Sequence, residues 1–428
     1  MLASTILGTR ELGGSIQPSL AQPGLEDLVG GLIKLDDLGL LIIALSLAVA
    51  LLGLWSAAGS SGAIEYSILI LVFLVSAALT VASANLLLFY IFWELTALCA
   101  WGLSRWSTYS DDYTPEAFPI RGAGALASLS MFLAVLLLAA ENRSFSVSGL
   151  QTDRLGLVSL LILAAVFLKT YGLVAQVWRH DAGRVYSISG GLVSSAGAAV
   201  LGVYPYLRLL EGNFAAQTTW REYTLWIALP LGLLAGLAVL SEDEAHRVVA
   251  GAAYSQFCVL MVGMALGNRQ GLTGAMLGLM AYVLGVNGLF LCLGVLESCS
   301  GQRLVSTLGG MAASLPSTAV LFVLSALAFA GLPPFGGFTS RLLVGTEFLR
   351  AGQPVAFAAL MAICGLTLLV NLRLFKGAFL GPPRLSAREG HWAVLLATVG
   401  VLCALVYLGI HPEEGARLVQ PAVAVMLR

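Results

Sequence analysis

LLLFYIFWELTALCAWGL (86–103) and LGLVSLLILAAVFLKTYGLVAQVW (155–178) decide what kind of molecule this is. Each is an apolar run long enough to cross a bilayer, which takes ~17–25 residues. Each also carries one charge near its middle, Glu94 in the first and Lys169 in the second. A charge at the bilayer centre costs at least ~2.5–3.5 kcal/mol, so the default reading of such a residue is an ion or proton path.

Composition sets the class around these two runs. The chain has 428 residues, of which 58% are hydrophobic and 11% charged, with a mean hydropathy of +0.91. Ordinary soluble domains carry about 25% charged residues. The expectation is an all-α polytopic membrane protein with about twelve transmembrane helices, at 38–55, 65–83, 85–106, 118–140, 155–178, 187–210, 223–241, 247–267, 271–297, 317–350, 354–377 and 391–410. The span 317–350 is too long for one straight crossing and contains LPPFGGF (332–338), where two prolines remove backbone donors and glycines loosen the helix. It is expected as two pieces around a break, with Arg341 close by. A second loosening is expected after Lys169, where Gly172 follows within one turn. Irregular backbone at membrane depth survives only inside protein or beside a wet cavity, so a break near a charge points to a hydrated channel.

Several function classes drop out. The first 30 residues lack a continuous apolar core and read as neither a spanning helix nor a signal peptide. Short loops leave no room for a soluble catalytic or nucleotide-binding domain, and GxxxxGK[ST], strand-linked GxGxxG and HExxH are all absent. No cofactor is expected in this chain, and any redox centre belongs to a different subunit. With a net charge of −1 and no basic block, there is no reason to expect nucleic acid. The six cysteines lie in or beside apolar runs without CxxC spacing and read as small core residues. Lys and Arg in the implied loops number ten on each side, so the positive-inside rule sets no orientation. Trp93, Trp101, Trp106, Trp178, Trp220, Trp226 and Trp392 fall mostly near helix ends and read as an interfacial belt.

Six ordered segments carry a family resemblance. IKLDDLGLLIIALSLAVALLGLW (33–55), SANLLLFYIFWEL (83–95), LKTYGLVAQVWRHDA (168–182), EDEAHRVVAGAAYSQ (242–256), AGLPPFGGFTSRLL (330–343) and LLVNLRLFKGAFLG (368–381) resemble, in that order, signatures of the antiporter-like membrane subunits of respiratory complex I. Those subunits are shared with Mrp-type cation/proton antiporters, membrane-bound hydrogenases and some bicarbonate-uptake complexes. The similarity covers nearly everything after residue 30, and the first span here corresponds to the family's third.

The resemblance implies two inverted five-helix repeats, each with a broken helix, at 65–211 and 212–378. A first helix at 31–64 precedes them and a C-terminal helix and tail at 379–428 follows. It implies a multi-pass subunit of a prokaryotic plasma-membrane complex that couples proton or Na+/H+ translocation to redox chemistry. Its implied partners are other membrane subunits, a peripheral redox or other soluble module, and lipid. It also implies that Glu94 biases Lys169 and that Lys169 carries the proton. The chain departs from the pattern further in. Ser194 and Val200 stand where the family has a His and a Lys, only Tyr282 and Asn287 lie near another such pair, and Arg341 replaces a titrating residue. Arginine keeps its proton at every physiological pH.

Two mechanistic readings follow. In one, protons cross through water ordered by Ser194, Ser195, Tyr254, Ser255, Gln256 and Asn287, with Arg341 as a fixed barrier. In the other, the relay is broken and the chain holds a complex together or lends Glu94 and Lys169 to a neighbour's path. The competing readings are a static Glu94–Lys169 ion pair, a solute carrier for bicarbonate or sodium, and a purely structural subunit. His180 and Asp181 are candidates for a funnel at the end of span 155–178, while His246 and Arg247 read as helix-start charges at the lipid headgroups. Glu347, six positions after Arg341, is off its face by helical spacing but remains a candidate to offset its charge.

Overall fold

The computed structural model describes residues 32–57, 63–105, 117–176, 190–384, 388–390 and 392–427. Helices α1 (Asp37–Ala57), α2 (Ala63–Ala82), α3 (Leu86–Arg105), α4 (Ala117–Asn142) and α5 (Leu155–Gln176) form the first part of an antiparallel bundle. Next come α6 (190–214), α7 (Thr219–Ala238), α8 (Ala245–Met264) and the 32-residue α9 (Arg269–Ser300). The tenth crossing is made by two half-helices, α10 (Pro316–Ala330) and α11 (Gly336–Arg350). The chain then runs through α12 (Pro354–Phe379), α13 (Trp392–Ile410) and a terminal α14 (Pro412–Met426). Eleven of these helices are long and apolar enough to span a membrane, and the α10–α11 pair supplies the twelfth crossing anticipated from sequence. The protein is an all-α, multi-pass integral membrane protein.

Burial separates a centre from a rim. The spans of α6, α8 and α9 are each 94% buried within the chain, whereas α1, α2, α3, α4, α7, α12 and α13 lie between 28% and 44% and face outward. Small residues allow this inner packing. Gly202 of α6 lies where a Cβ would meet Thr170 of α5 and Phe257 of α8, and Gly285 of α9 lies against Phe329 of α10.

Helix α6 is not a regular α-helix. It contains three wide, π-type stretches, Val193–Gly197, Ala199–Val203 and Tyr206–Glu211. Hydrophobic periodicity cannot distinguish 3.6 residues per turn from a wider turn over so short a run, so the sequence gives no sign of it. Such turns shift the backbone hydrogen bonding and concentrate at functional sites. Two carbonyls here accept side-chain donors from other helices: Leu201 from the Trp93 indole at 3.0 Å, and Ser194 from the Tyr282 hydroxyl at 2.7 Å.

The expected break after Lys169 is not at Gly172, because α5 runs as one α-helix through Gln176. Packing on α4 along its length supports the helix past that glycine. The break at 332–338 is present. Gly331 takes the left-handed conformation (φ 79°) that ends α10, with the N–H groups of Gly331 and Leu332 returning to Ala328 and Leu327. The tail gives a second difference. Residues 412–426 fold into an amphipathic helix whose Gly415, Val419, Ala422, Val423 and Met426 are buried, and it packs on α9 and α1. Of the six cysteines, Cys99, Cys258 and Cys292 are buried as expected, Cys299 and Cys364 are half-buried, and Cys403 is exposed.

Candidate functional site

Glu94 lies near the middle of α3 and Lys169 in the second half of α5, and the antiparallel α4–α5 pairing beside α3 brings the two together. The Lys169 ammonium donates to both carboxylate oxygens of Glu94 at 2.9 Å and to the Ser128 hydroxyl of α4 at 2.8 Å. An ammonium has three hydrogens, and here all three have acceptors. Its remaining side rests on the Trp93 ring, 4.4 Å from the ring centre, a cation–π contact worth about 2 kcal/mol when desolvated.

The pair is unequally shielded. The Lys169 side chain is 8% exposed and that of Glu94 26%. Glu94 opens on the outer side of α3 among exposed Ile91, Leu95 and Leu98, so the carboxylate is the member that can be reached from outside the chain. Two tryptophans correct the belt expectation, because Trp93 and Trp220 are fully buried, whereas Trp101, Trp226 and Trp392 are exposed. The position of Trp93 directly before Glu94 turns it inward onto α5 and α6. Ser128 is a further participant that sequence did not single out, since one serine in an apolar span has no signature.

A second polar cluster surrounds the break. Arg341 of α11 donates to Phe329 O of α10 and to Gly337 O, each at 2.8 Å, and to Gln256 Oε1 of α8 at 2.5 Å. The guanidinium thus bonds carbonyls on both sides of the break, and it sits at the C-terminal, negative end of the α10 dipole. Gln256 donates onward to Thr367 of α12 at 2.7 Å. Glu347 is not part of this cluster. It lies further along α11, accepting from Arg350 at 2.7 Å and Asn268 at 2.8 Å.

Between these clusters, the Tyr254 hydroxyl of α8 donates to Phe167 O of α5 at 3.2 Å, with its ring edge-on to Tyr171 at 5.6 Å. On α6, Ser195 accepts from the Asn287 amide of α9 at 2.7 Å. Ser194 is fully buried and its hydroxyl has no hydrogen-bond partner among the described residues. Val200, also fully buried, contributes no polar atom. The structure therefore groups Glu94, Lys169, Ser128 and Trp93 at one place, Ser195 and Asn287 at a second, and Arg341 with Gln256 at a third. His180 and Asp181 lie outside the described residues. His246 does not fit the headgroup expectation: it is 1% exposed, with Nε2 3.3 Å from Glu297 Oε2 of α9. Packing of α8 between α7 and α9 draws this first-turn residue into the protein.

Comparison with known proteins agrees with this architecture. The family profile described as NADH:quinone oxidoreductase/Mrp antiporter, transmembrane, matches residues 83–367. The NADH-quinone oxidoreductase subunit N of Rhizorhabdus wittichii is 27% identical over 330 residues, covering 73% of this chain and 67% of that one. A Na(+)/H(+) antiporter subunit of Alkalihalophilus pseudofirmus is 25% identical over 326 residues, covering 68% of this chain but only 39% of the longer relative. Among solved structures, a chain of the Mrp complex from Dietzia sp. superposes with a TM-score of 0.82 at 20% identity, over 100% of this chain and 92% of that one. At that identity the likeness speaks for the fold.

Proposed function

Because the chain belongs to the NADH:quinone oxidoreductase/Mrp antiporter transmembrane family, we propose that it is the antiporter-like subunit of a multisubunit complex in a prokaryotic plasma membrane. Its task there is to move protons at the Glu94–Lys169 pair while redox chemistry proceeds in other subunits. The carrying observation is the fully coordinated, buried Lys169 ammonium beside a carboxylate that is open on one side. Burial favours a neutral amine and Glu94 favours the ammonium, so anything that draws Glu94 outward releases a proton from Lys169. A static tie explains the geometry less well, since buried ion pairs are poor stabilisers compared with apolar packing.

Helix neighbours support the two five-helix units at 65–211 and 212–378. The α2–α3 and α4–α5 pairings recur as α7–α8 and as α9 with α10 and α11. The exposed apolar faces of α1 and α3 are suited to lipid and to neighbouring membrane subunits. Electron transfer is assigned to a peripheral module because the sequence carries no redox motif. The relay beyond Lys169 is partly degenerate: Val200 is dry and Arg341 is committed to three acceptors. The alternative, a membrane subunit of an Mrp-type antiporter, draws its support from the similarity to the Alkalihalophilus antiporter protein.

The test is Lys169→Ala in the complex assembled with its native partners in proteoliposomes. Proton movement under the complex's own driving reaction should fall at least tenfold while assembly persists. Unchanged movement and coupling would remove the lysine from transport. Co-purifying flavin or iron–sulfur subunits favour the redox-driven reading, and sodium-dependent proton movement without them favours the antiporter.

A further inference from the structure

One stripe of α9 carries Asn287, Phe290, Gly294 and Glu297, spaced at three or four residues and so on the same face. Glu297 is 3% exposed. Its Oε1 accepts from Arg303 at 2.8 Å and its Oε2 lies 3.3 Å from His246 Nε2. The Arg303 guanidinium lies 3.9 Å from Glu244, Glu244 holds Arg247 at 2.5 Å, and Arg247 is 3.9 Å from Glu242. Other charges of this end reach the loops, Asp243 at Ser306, Arg373 at Glu242 O and Arg384 at Ser306 O, and Lys376 lines the same surface depression as Glu242 and Asp243. Three carboxylates thus meet two guanidinium groups, with His246 as the one imidazole among them.

On the inner side, the His246 ring is 6.2 Å from the Phe290 ring. One turn further along the stripe, Asn287 holds Ser195 of α6. Consecutive glycines of α6 make the space: a Cβ on Gly190 would meet Phe290 at 2.7 Å, and one on Gly191 would meet Asn287 Oδ1 at 2.7 Å. A buried imidazole–carboxylate pair therefore stands between a charged loop surface and a polar pair on the π-turned helix, with one aromatic ring in between.

We propose that His246 and Glu297 form a second proton-binding site, loaded from water at the loop face, with Phe290 as the barrier between it and the Asn287–Ser195 pair. The site answers where the interior exchanges protons when the central amines are absent, and it rests on the proton-moving function proposed above. The imidazole takes a proton from water on the loop side and becomes an imidazolium balanced by Glu297. When the Phe290 ring turns aside, the proton passes to water at Asn287 and the neutral imidazole is restored. Arg303 stays bonded to the other Glu297 oxygen throughout.

The experiment compares His246→Gln, Glu297→Gln, Glu297→Asp and Lys169→Ala in the assembled complex in proteoliposomes, reading proton movement from pH 5.5 to 8.5. His246→Gln is expected to slow movement about fivefold and to flatten the acid limb of the pH profile. Glu297→Gln should do the same, and Glu297→Asp should restore part of the rate with a displaced limb. Phe290→Ala, which keeps the pair intact, should raise passive proton leak severalfold, and it tests the barrier even if a charge variant fails to assemble. A wild-type rate and pH profile in His246→Gln, or an unaltered leak in Phe290→Ala, overturns the site when Lys169→Ala still abolishes movement. If Lys169→Ala is itself without effect, the proposed function falls first.

Discussion

At the level of single residues, Lys169 is held by more than its countercharge. Trp93 contributes its ring face to the ammonium and its N–H to Leu201 O on α6. One side chain thus ties the lysine to a wide-turn helix. Trp93→Phe keeps a ring but loses the backbone tie. Its expected cost is ~1 kcal/mol in thermal unfolding in detergent, with proton movement reduced less than by Lys169→Ala. Trp93→Ala removes ring and tie together and is expected to cost about 3–5 kcal/mol. Equal effects of the two substitutions would show that the ring face does not matter. Outside the spans, Glu389 presents a separate case. Burial pushes its carboxyl upward, but bonds from the N–H groups of Thr318 and Ser317 and from the Thr318 hydroxyl outweigh this and hold it below the usual carboxylate range. With the folded value depressed, its contribution is present above the ordinary value of about 4.3 and is lost as pH falls through the folded one. Protection of the amides at the start of α10 against hydrogen exchange, relative to their intrinsic rates, should therefore fall in acid, and Glu389→Gln should remove that dependence.

Among the elements, the break between α10 and α11 depends on two residues that fit each other. Gly331 takes φ 79°, and a Cβ there would run into the Arg341 side chain. Gly331→Ala is expected to destabilise by ~1–3 kcal/mol through backbone strain, with further cost from displacing the guanidinium. Arg341→Lys keeps the charge but cannot span Phe329 O, Gly337 O and Gln256 together. Lower melting temperature with unchanged proton movement would identify Arg341 as a clasp, whereas loss of movement at full stability would give it a direct part in transport. The break itself was legible, because Pro-Pro followed by Gly-Gly has a local mechanism. The wide turns of α6 were not, because no local signal marks them in a helix that Trp93, Tyr282, Phe257 and Thr170 reach from separate elements.

For the whole molecule, the buried polar groups lie in several separate clusters, and Val200 sits fully buried in α6. Val200→Lys should raise proton movement severalfold if the missing amine limits conduction. If the path instead runs through a neighbour by way of Glu94, the substitution should only destabilise the fold by burying an unpaired charge. Reconstituted flux together with thermal stability separates the two. Removal of residues 412–428 should uncover the seat of α14 on α9 and α1 and lower the melting temperature without altering the Glu94–Lys169 pair.

The sequence by itself determined the class, the crossings, the proline-glycine break and the two charges at its centre. Each of these follows from local terms: the cost of polar atoms in lipid, the length of a bilayer and the missing proline N–H. Only the tertiary structure decided that Lys169 has a third acceptor in Ser128 and a ring in Trp93, that α5 stays helical past Gly172, that Arg341 clasps the two half-helices, and that His246 turns inward to Glu297. Those facts depend on which faces of separate helices meet. Rotating a helix about its axis moves a side chain from lipid to core without changing the hydrophobic pattern that sequence displays.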